Sequence, residues 1–291
     1  MTRLRVFLEM VRFEHTIFAL PFAYVGMLLA ANWPPTGGAM RLPALHQFVW
    51  ISVALAAART LAFAINRYAD RYYDARNPRT ANRAIPAGRL SARATLGYGT
   101  VALVVLAVAA WQLNDLTLKL LPGALVFLVG YSYTKRFTWL SHWVLGATDG
   151  LAPAGAWVAV RAAVDPPTWL LWLGVTFWIA GFDLIYACQD TEFDRNEGLC
   201  SVPARFGNAV GLRLAQANHV LTVLALAGVG GVMRLGWAYW LGLAAVSGLL
   251  VYEHSLVSPN DLSRVNVAFF NVNSIIAVTL FGTTLVALYV G

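Results

Sequence analysis

Long apolar stretches are separated by shorter polar segments along the whole chain. A membrane-spanning helix needs about 20 mostly apolar residues, and it satisfies its own backbone hydrogen bonds in lipid. The two-residue alternation expected of barrel strands does not occur. The pattern therefore predicts an all-α, polytopic membrane protein with nine spanning helices, at residues 14–32, 45–66, 94–113, 117–135, 140–160, 167–188, 211–232, 235–253 and 265–289.

The composition supports this interpretation and excludes an ordinary soluble domain. Of the 291 residues, 59% are hydrophobic and 12% are charged, whereas a soluble domain carries about 25% charged residues. We expect residues 1–291 to form a single domain that is embedded in the lipid bilayer. We expect no nucleic-acid partner.

The basic residues are distributed unevenly between the two predicted sides of the membrane. Of the 21 Lys and Arg residues, 16 fall at the N-terminus or in loops on its side, 4 fall on the opposite side, and Arg59 lies within a span. Basic residues concentrate in cytoplasmic loops. We therefore expect a cytoplasmic N-terminus, with the long polar loops 67–93 and 189–210 also on the cytoplasmic side.

Two of the predicted spans end in a matching polar pattern on that side. The second span ends in Asn66, Asp70 and Asp74, and the sixth ends in Tyr186, Asp190 and Asp194. Residues four apart share one face of a helix, where like charges repel each other modestly. Positive charge must offset this repulsion, either from nearby arginines or from a metal ion.

Four carboxylates that converge near a cavity suit a hard divalent cation. Mg²⁺ prefers oxygen ligands, and it is commonly held by carboxylates together with substrate phosphates. Arginine forks match phosphate oxygens, so Lys135, Arg136 and the arginines of the first loop could bind the rest of a polyanion. The pattern predicts a Mg²⁺–diphosphate site at the membrane surface, above an apolar interior that accepts a lipid tail.

Charged residues inside the predicted spans form a second group of candidates. Arg59 lies seven residues before Asn66, and Asp183 lies seven residues before Asp190, so each is about two helical turns deeper than that motif residue. Intramembrane charges commonly mark functional sites. Our preferred interpretation is that Arg59 and Asp183 form a buried salt bridge; alternatively, Arg59 holds the acidic group of an aromatic acceptor. Asp149 and His15 receive no role.

Four segments resemble one family, the UbiA-type intramembrane aromatic prenyltransferases, and the resemblance extends over essentially the whole chain. "NRYADRYYD" and "YACQDTEFD" resemble its two aspartate motifs, "RTANRAIPAGRLS" resembles the loop after the first motif, and "YSYTKRFTWLSHWVLG" resembles the junction of its fourth and fifth helices. The resemblance implies a central cavity open to the cytoplasm and transfer of a polyprenyl group from its diphosphate, with Mg²⁺ as cofactor. The residue roles that it implies are Asp70, Asp74, Asp190 and Asp194 for the metal, Asp70, Asp190, Lys135, Arg136 and Tyr186 for catalysis, and Asn66, Arg59, Arg79, Arg83 and Tyr72 for substrate binding.

The acceptor stays open within this resemblance. Segments such as "RFEHTIFALPFAYVG" and "DLSRVNVAFFNVN" look most like the bacterial 4-hydroxybenzoate branch, part of which is linked to menaquinone. The implied partner is an aromatic hydroxy acid, either 4-hydroxybenzoate or 1,4-dihydroxy-6-naphthoate, and the implied location is the bacterial inner membrane. Alternatives are prenyl transfer to haem, chlorophyllide or glycerol phosphate, a non-catalytic lipid-diphosphate binder, and a transporter. The charges cluster at one membrane face, which argues against a transporter.

Overall fold

The structure is a computed structural model that describes residues 3–10, 16–35 and 39–290. Regular structure in these ranges is helical, apart from an isolated β-bridge between Ser258 and Asp261. A 3₁₀ turn (Cys188–Asp190) follows the eighth helix, and a π-helical turn (Val267–Val272) precedes the last. The helices are α1 (Arg3–Met10), α2 (Thr16–Ala31), α3 (Leu45–Ala69), α4 (Arg71–Arg76), α5 (Ala92–Leu113), α6 (Asp115–Thr134), α7 (Ser141–Arg161), α8 (Pro166–Ala187), α9 (Thr191–Asn196), α10 (Val202–Phe206), α11 (Asn208–Val232), α12 (Trp237–Ser255) and α13 (Asn273–Val290).

The predicted spans all fall on helices, but not all of these helices have the length and composition of a span. Six stretches are long and apolar enough to cross a membrane: Leu45–Ala69, Ala92–Leu113, Asp115–Thr134, Pro166–Asn196, Asn208–Val232 and Val267–Val290. The other three predicted spans lie on α2, α7 and α12. Helix α2 has 16 residues, while α7 and α12 are long enough, with 21 and 19 residues, but their mean hydropathy is too low. His15 lies outside the described residues.

Glycines bring α7 and α8 into close contact. A Cβ atom on Gly146 would lie 2.1 Å from the carbonyl oxygen of Thr176, and one on Gly150 would lie 2.7 Å from that of Trp172. Small residues four apart permit such close approach between membrane helices. Because α7 and α8 carry much of the polar interior described below, this contact fixes the geometry of the site.

Replacing Gly146 by valine is expected to destabilise the protein by about 1–3 kcal/mol, the usual cost of overpacking. The added side chain would collide with backbone, which cannot move aside without separating α7 from α8. Thermal unfolding in detergent measures the effect. Gly155→Ala on the same helix is the control, since a Cβ there meets no atom within 4 Å. Equal melting temperatures for both variants would contradict the prediction.

A long cavity of about 1470 Å³ runs through the bundle. Its walls come mainly from α3, α6, α7 and α8, and along α8 they extend from Thr168 to Asp190. These two residues are 22 positions apart, which corresponds to about 33 Å along a helix. The cavity therefore extends over about the thickness of the hydrocarbon core of a membrane, which is about 30 Å.

Candidate active site

The helical spacing of the first motif is confirmed, while a 3₁₀ turn interrupts the second motif. The backbone N–H of Asp70 donates to the carbonyl of Asn66 at 2.9 Å, and that of Asp74 donates to the carbonyl of Asp70 at 2.8 Å. Asn66 lies in the last turn of α3, Asp70 joins α3 to α4, and Asp74 lies in α4. In the second motif, Tyr186 lies on α8, Asp190 ends the 3₁₀ turn and Asp194 lies on α9.

The structure brings the two motifs together at one end of the cavity. Asn77 Nδ2 donates to Asp190 Oδ1 at 3.1 Å, so the loop after the first motif reaches the second. Arg76 forms a two-pronged ion pair with Glu197, with one N–O distance of 3.0 Å. Because these contacts join segments more than 100 residues apart in sequence, the two loops close over the same site.

Each motif aspartate is paired with one basic side chain. The partners are Arg136 for Asp70 at 3.3 Å, Arg83 for Asp74 at 2.6 Å, Arg79 for Asp190 at 3.0 Å through its Nε, and Lys135 for Asp194 at 2.8 Å. Arg79 also donates through a second nitrogen to the other oxygen of Asp190. The four negative charges are therefore matched by four positive charges from this chain.

The four aspartates differ in their access to the cavity. Asp70 and Asp190 line it, together with Arg79, Arg83 and Lys135. Asp74 and Asp194 lie behind them and are 5% and 1% exposed. The first aspartate of each motif thus faces the cavity, while the second holds a cation that faces it.

A divalent cation fits this donor set only if the present ion pairs exchange partners. In the part of the chain that the structure describes, no three His, Cys, Asp or Glu side chains lie close enough to hold a metal ion. However, Asp74 Oδ2 is buried and has no hydrogen-bond partner, and burial, followed by the charge of Asp74, raises the pKa of the Asp70 carboxyl above its ordinary value. A cation beside these carboxylates would relieve both costs, so the residues fit a metal that displaces their basic partners.

Tyr186 and Tyr72 have different environments. Tyr186 lines the cavity, accepts a hydrogen bond from Arg79 at 3.1 Å, and packs on Phe269 with a ring-centroid distance of 4.2 Å. Tyr72 is 63% exposed, lies outside the cavity lining, and has Arg71 over its ring. The placement of Tyr72 does not support its expected contact with substrate.

Arg136 also lies outside the cavity lining. Its guanidinium donates to the Ala69 carbonyl at 2.8 Å and to Asp70. Asn66 donates to the other oxygen of Asp70 at 2.8 Å. Both side chains therefore orient Asp70, and the placement of Arg136 does not support its expected direct contact with substrate.

The expected salt bridge between Arg59 and Asp183 is wrong. Asp183 instead accepts a hydrogen bond from His142 at 2.6 Å. Arg59 lines the cavity beside Phe63 and makes no hydrogen bond or ion pair with any described residue. The opposite charge that influences it is that of Asp149. The spacing in the sequence predicted how deep both residues lie. It did not predict that the partner of Asp183 is His142 on α7.

Some residues of the site were missed by reasoning from sequence. Asn77 follows the first motif without any spacing that marks it, and His142 stood among histidines with no ligand pattern. Phe269 and Phe270 lie on the π-helical turn and also line the cavity. An aromatic pair beside three asparagines in "NVAFFNVN" was the available signal.

Fold and site together define a membrane-embedded protein with a cluster of charged residues at one end of a long cavity. The model of the UbiA prenyltransferase family matches residues 19–275, and the chain belongs to that family. It is therefore a prenyltransferase and an integral membrane protein.

Individual relatives match over nearly the full chain. The 4-hydroxybenzoate octaprenyltransferase of Cupriavidus necator is 32% identical over 287 residues, which is 97% of this chain and 96% of the relative. The apo structure of a UbiA homolog from Aeropyrum pernix K1 is 30% identical, with a TM-score of 0.83 over 94% of this chain and 98% of that one. A UbiA homolog from Archaeoglobus fulgidus, bound to GPP and Mg²⁺, shares the fold at 20% identity, with a TM-score of 0.66 over 96% of this chain and 99% of that one.

Proposed function

We propose that this protein transfers a polyprenyl group from a polyprenyl diphosphate to a hydroxyaryl carboxylate, with Mg²⁺ as cofactor. The observation that carries the proposal is the single cavity that joins Asp70 and Asp190 to an apolar space about 33 Å long. The name of the Cupriavidus necator relative favours 4-hydroxybenzoate as acceptor and an octaprenyl donor. The other candidate acceptor is 1,4-dihydroxy-6-naphthoate, which is also a hydroxyaryl carboxylate.

The donor head group would bind by an exchange of ion-pair partners. Asp70 and Asp190 would hold Mg²⁺ from the cavity side, and Asp74 and Asp194 would complete the site. When bound, the metal would neutralise the charge that develops on the leaving diphosphate. The cations released from the carboxylates (Lys135, Arg79 and Arg83) line the cavity, where they would donate to the diphosphate oxygens.

The allylic end of the donor would lie beneath the head group, against aromatic faces. Tyr186 and Phe269 stack on each other and both line this part of the cavity. Aromatic faces attract cations, most strongly where water is excluded. These rings would stabilise positive charge on the prenyl carbon as its bond to diphosphate oxygen breaks, and they would exclude water from that carbon.

Arg59 is the candidate ligand for the carboxylate of the acceptor. It lies about two turns below Asn66 on α3, and its guanidinium has no ion-pair partner among the described residues. A buried charge without a partner is costly, and a bound carboxylate would provide the missing charge. The acceptor ring would then lie between Arg59 and the allylic carbon.

We further propose nine membrane spans, with the N-terminus and the opening of the cavity on the cytoplasmic side of a bacterial inner membrane. Six of these spans are the stretches that have the length and composition of a span, and helices α2, α7 and α12 would be the other three. The support is the distribution of Lys and Arg along the chain.

The purified protein is expected to form a prenylated product from geranyl diphosphate and Mg²⁺ with one of the two candidate acceptors. Chromatography and mass spectrometry of parallel reactions, each with one acceptor, identify the substrate, and EDTA tests the need for a metal. Product with glycerol phosphate but with neither aromatic acid would overturn the proposed acceptor class. Unchanged product formation in EDTA would overturn the metal assignment.

A further inference from the structure

The carboxylate of Asp183 lies below the two motifs and is oriented by a histidine. The steps proposed above give this carboxylate no role. Asp183 lies on α8, seven residues before Asp190 and therefore about 10 Å deeper in the cavity. Its Oδ2 lies 2.6 Å from Nδ1 of His142 on α7. The Asp183 side chain is 25% exposed, while that of His142 is 2% exposed. Asp183 thus presents part of its carboxylate to the cavity, while His142, which also belongs to the cavity wall, is almost completely buried.

The surroundings of His142 determine which ring nitrogen carries the proton. The backbone N–H of Val202, the first residue of α10, donates to His142 Nε2 at 3.3 Å. A backbone N–H can only donate, so Nε2 is the acceptor and the proton lies on Nδ1. Nδ1 therefore donates to Asp183. This hydrogen bond fixes the carboxylate and leaves its other oxygen available for the cavity.

Prenyl transfer to an aromatic ring requires a proton acceptor at this depth. The ring forms a bond to the allylic carbon as the allylic carbon–oxygen bond breaks, and the electron pair of that bond leaves with diphosphate. The ring carbon that was attacked must then lose its proton to become aromatic again. Below the motifs, the carboxylates of described residues that line the cavity are Asp149 and Asp183.

The two carboxylates differ in their partners. Asp149 interacts electrostatically with Arg59, the proposed ligand of the acceptor's carboxylate, and no hydrogen bond to it occurs among the described residues. Asp183 is held by His142 and lies one turn below Tyr186, on the side of the cavity where the allylic carbon would lie. A positioned base commonly contributes about 10²–10⁴-fold to the rate.

We infer that Asp183 accepts the ring proton of the aromatic substrate and that His142 is its positioning residue. This inference rests on the proposed function. The electron pair of the broken ring C–H bond restores the aromatic system, and the proton moves to the carboxylate of Asp183. His142 does not touch the substrate; it holds Asp183 through Nδ1–H.

The test uses the full-length protein in lipid nanodiscs with geranyl diphosphate, Mg²⁺ and 4-hydroxybenzoate. The acceptor carries either hydrogen or deuterium at the two ring positions beside the hydroxyl, and kcat is measured with each. Asp183→Asn, which keeps the shape of the side chain, is expected to lower kcat by about 100-fold or more. It is also expected to raise the ratio of kcat for the protonated to the deuterated acceptor above the wild-type ratio, because proton loss becomes the slow step.

Two comparisons separate a proton acceptor from a structural residue. Binding of a non-cleavable thiolodiphosphate analogue of geranyl diphosphate with Mg²⁺ is expected to be unchanged in Asp183→Asn. Asp149→Asn, a matched variant on the facing helix, is expected to keep the wild-type isotope ratio. His142→Gln keeps a side-chain N–H donor and is expected to retain more activity than His142→Leu, which has none.

Three outcomes would overturn the inference. They are an unchanged kcat in Asp183→Asn, a lowered kcat with the wild-type isotope ratio, and a raised isotope ratio in Asp149→Asn instead. Failure of the proposed function appears elsewhere, in the wild-type protein: if it makes no product from 4-hydroxybenzoate, that acceptor is wrong, and the assignment of Asp183 as base for that ring is withdrawn with it.

Discussion

Asp190→Asn and Asp70→Asn are each expected to lower prenyl transfer by about 100-fold or more, similar to the loss of a group that stabilises developing charge. Both carboxylates face the cavity, and each has a basic partner that would be released if metal and diphosphate bind as proposed. An amide keeps the shape of the side chain but lacks the charge that would hold Mg²⁺. Turnover with geranyl diphosphate, and Mg²⁺-dependent binding of its non-cleavable analogue, measure both effects.

Glu192→Gln is the matched control for these variants. Glu192 lies on α9, between Asp190 and Asp194, and it is exposed. Its neutralisation changes the local charge by the same amount and is expected to leave turnover within about twofold, because exposed charges are screened. If Glu192→Gln were as impaired as Asp190→Asn, the losses would reflect the overall potential of the loop and not a metal site.

Arg59→Met is expected to raise KM for a carboxylate acceptor by about 10–100-fold, the contribution of a charge-assisted hydrogen bond. The KM for geranyl diphosphate is expected to change little, since Arg59 lies two turns below the motif. The stability of the variant depends on two opposed effects, because the substitution removes a buried charge without an ion-pair partner among the described residues and also removes the attraction of that charge to Asp149. Initial rates over a range of acceptor concentrations, together with thermal unfolding, measure these effects.

A smaller acceptor provides the control for Arg59. Phenol has the ring and hydroxyl of 4-hydroxybenzoate but no carboxylate. The wild type is expected to prefer 4-hydroxybenzoate over phenol in kcat/KM, and Arg59→Met is expected to lose that preference, whereas Arg59→Lys retains part of it. An undiminished preference in Arg59→Met would show that the carboxylate binds elsewhere.

The sequence predicted the helical class and the proximity of the two motifs, because these depend on local periodicity and on a matching polar pattern at the ends of two apolar segments. Asp70 and Asp74 lie one helical turn apart by spacing alone, whereas a 3₁₀ turn before Asp194 was not visible in the spacing of the second motif. The sixth span also placed Asp183 at the correct depth below Asp190. These features can be predicted without knowing which helices pack against each other.

The pairing of side chains across helices could not be predicted in the same way. Asp183 pairs with His142 because Gly146 lets α7 lie directly against α8, and no pattern within either helix reports this contact. Tyr72 and Asp74 are two positions apart in α4, yet one is exposed and the other is buried. The sequence also could not assign the four cations to particular carboxylates, since this depends on how the two loops fold over each other.

The one-to-one pairing of motif aspartates with basic side chains leaves these eight groups without net charge. A free phosphate would find these four cations engaged by carboxylates, and a lone divalent ion would find the carboxylates engaged by cations. Metal and diphosphate bound together, as proposed, would satisfy both sets of charges. The internal ion pairs would re-form after the product diphosphate leaves, and they would compete against its rebinding.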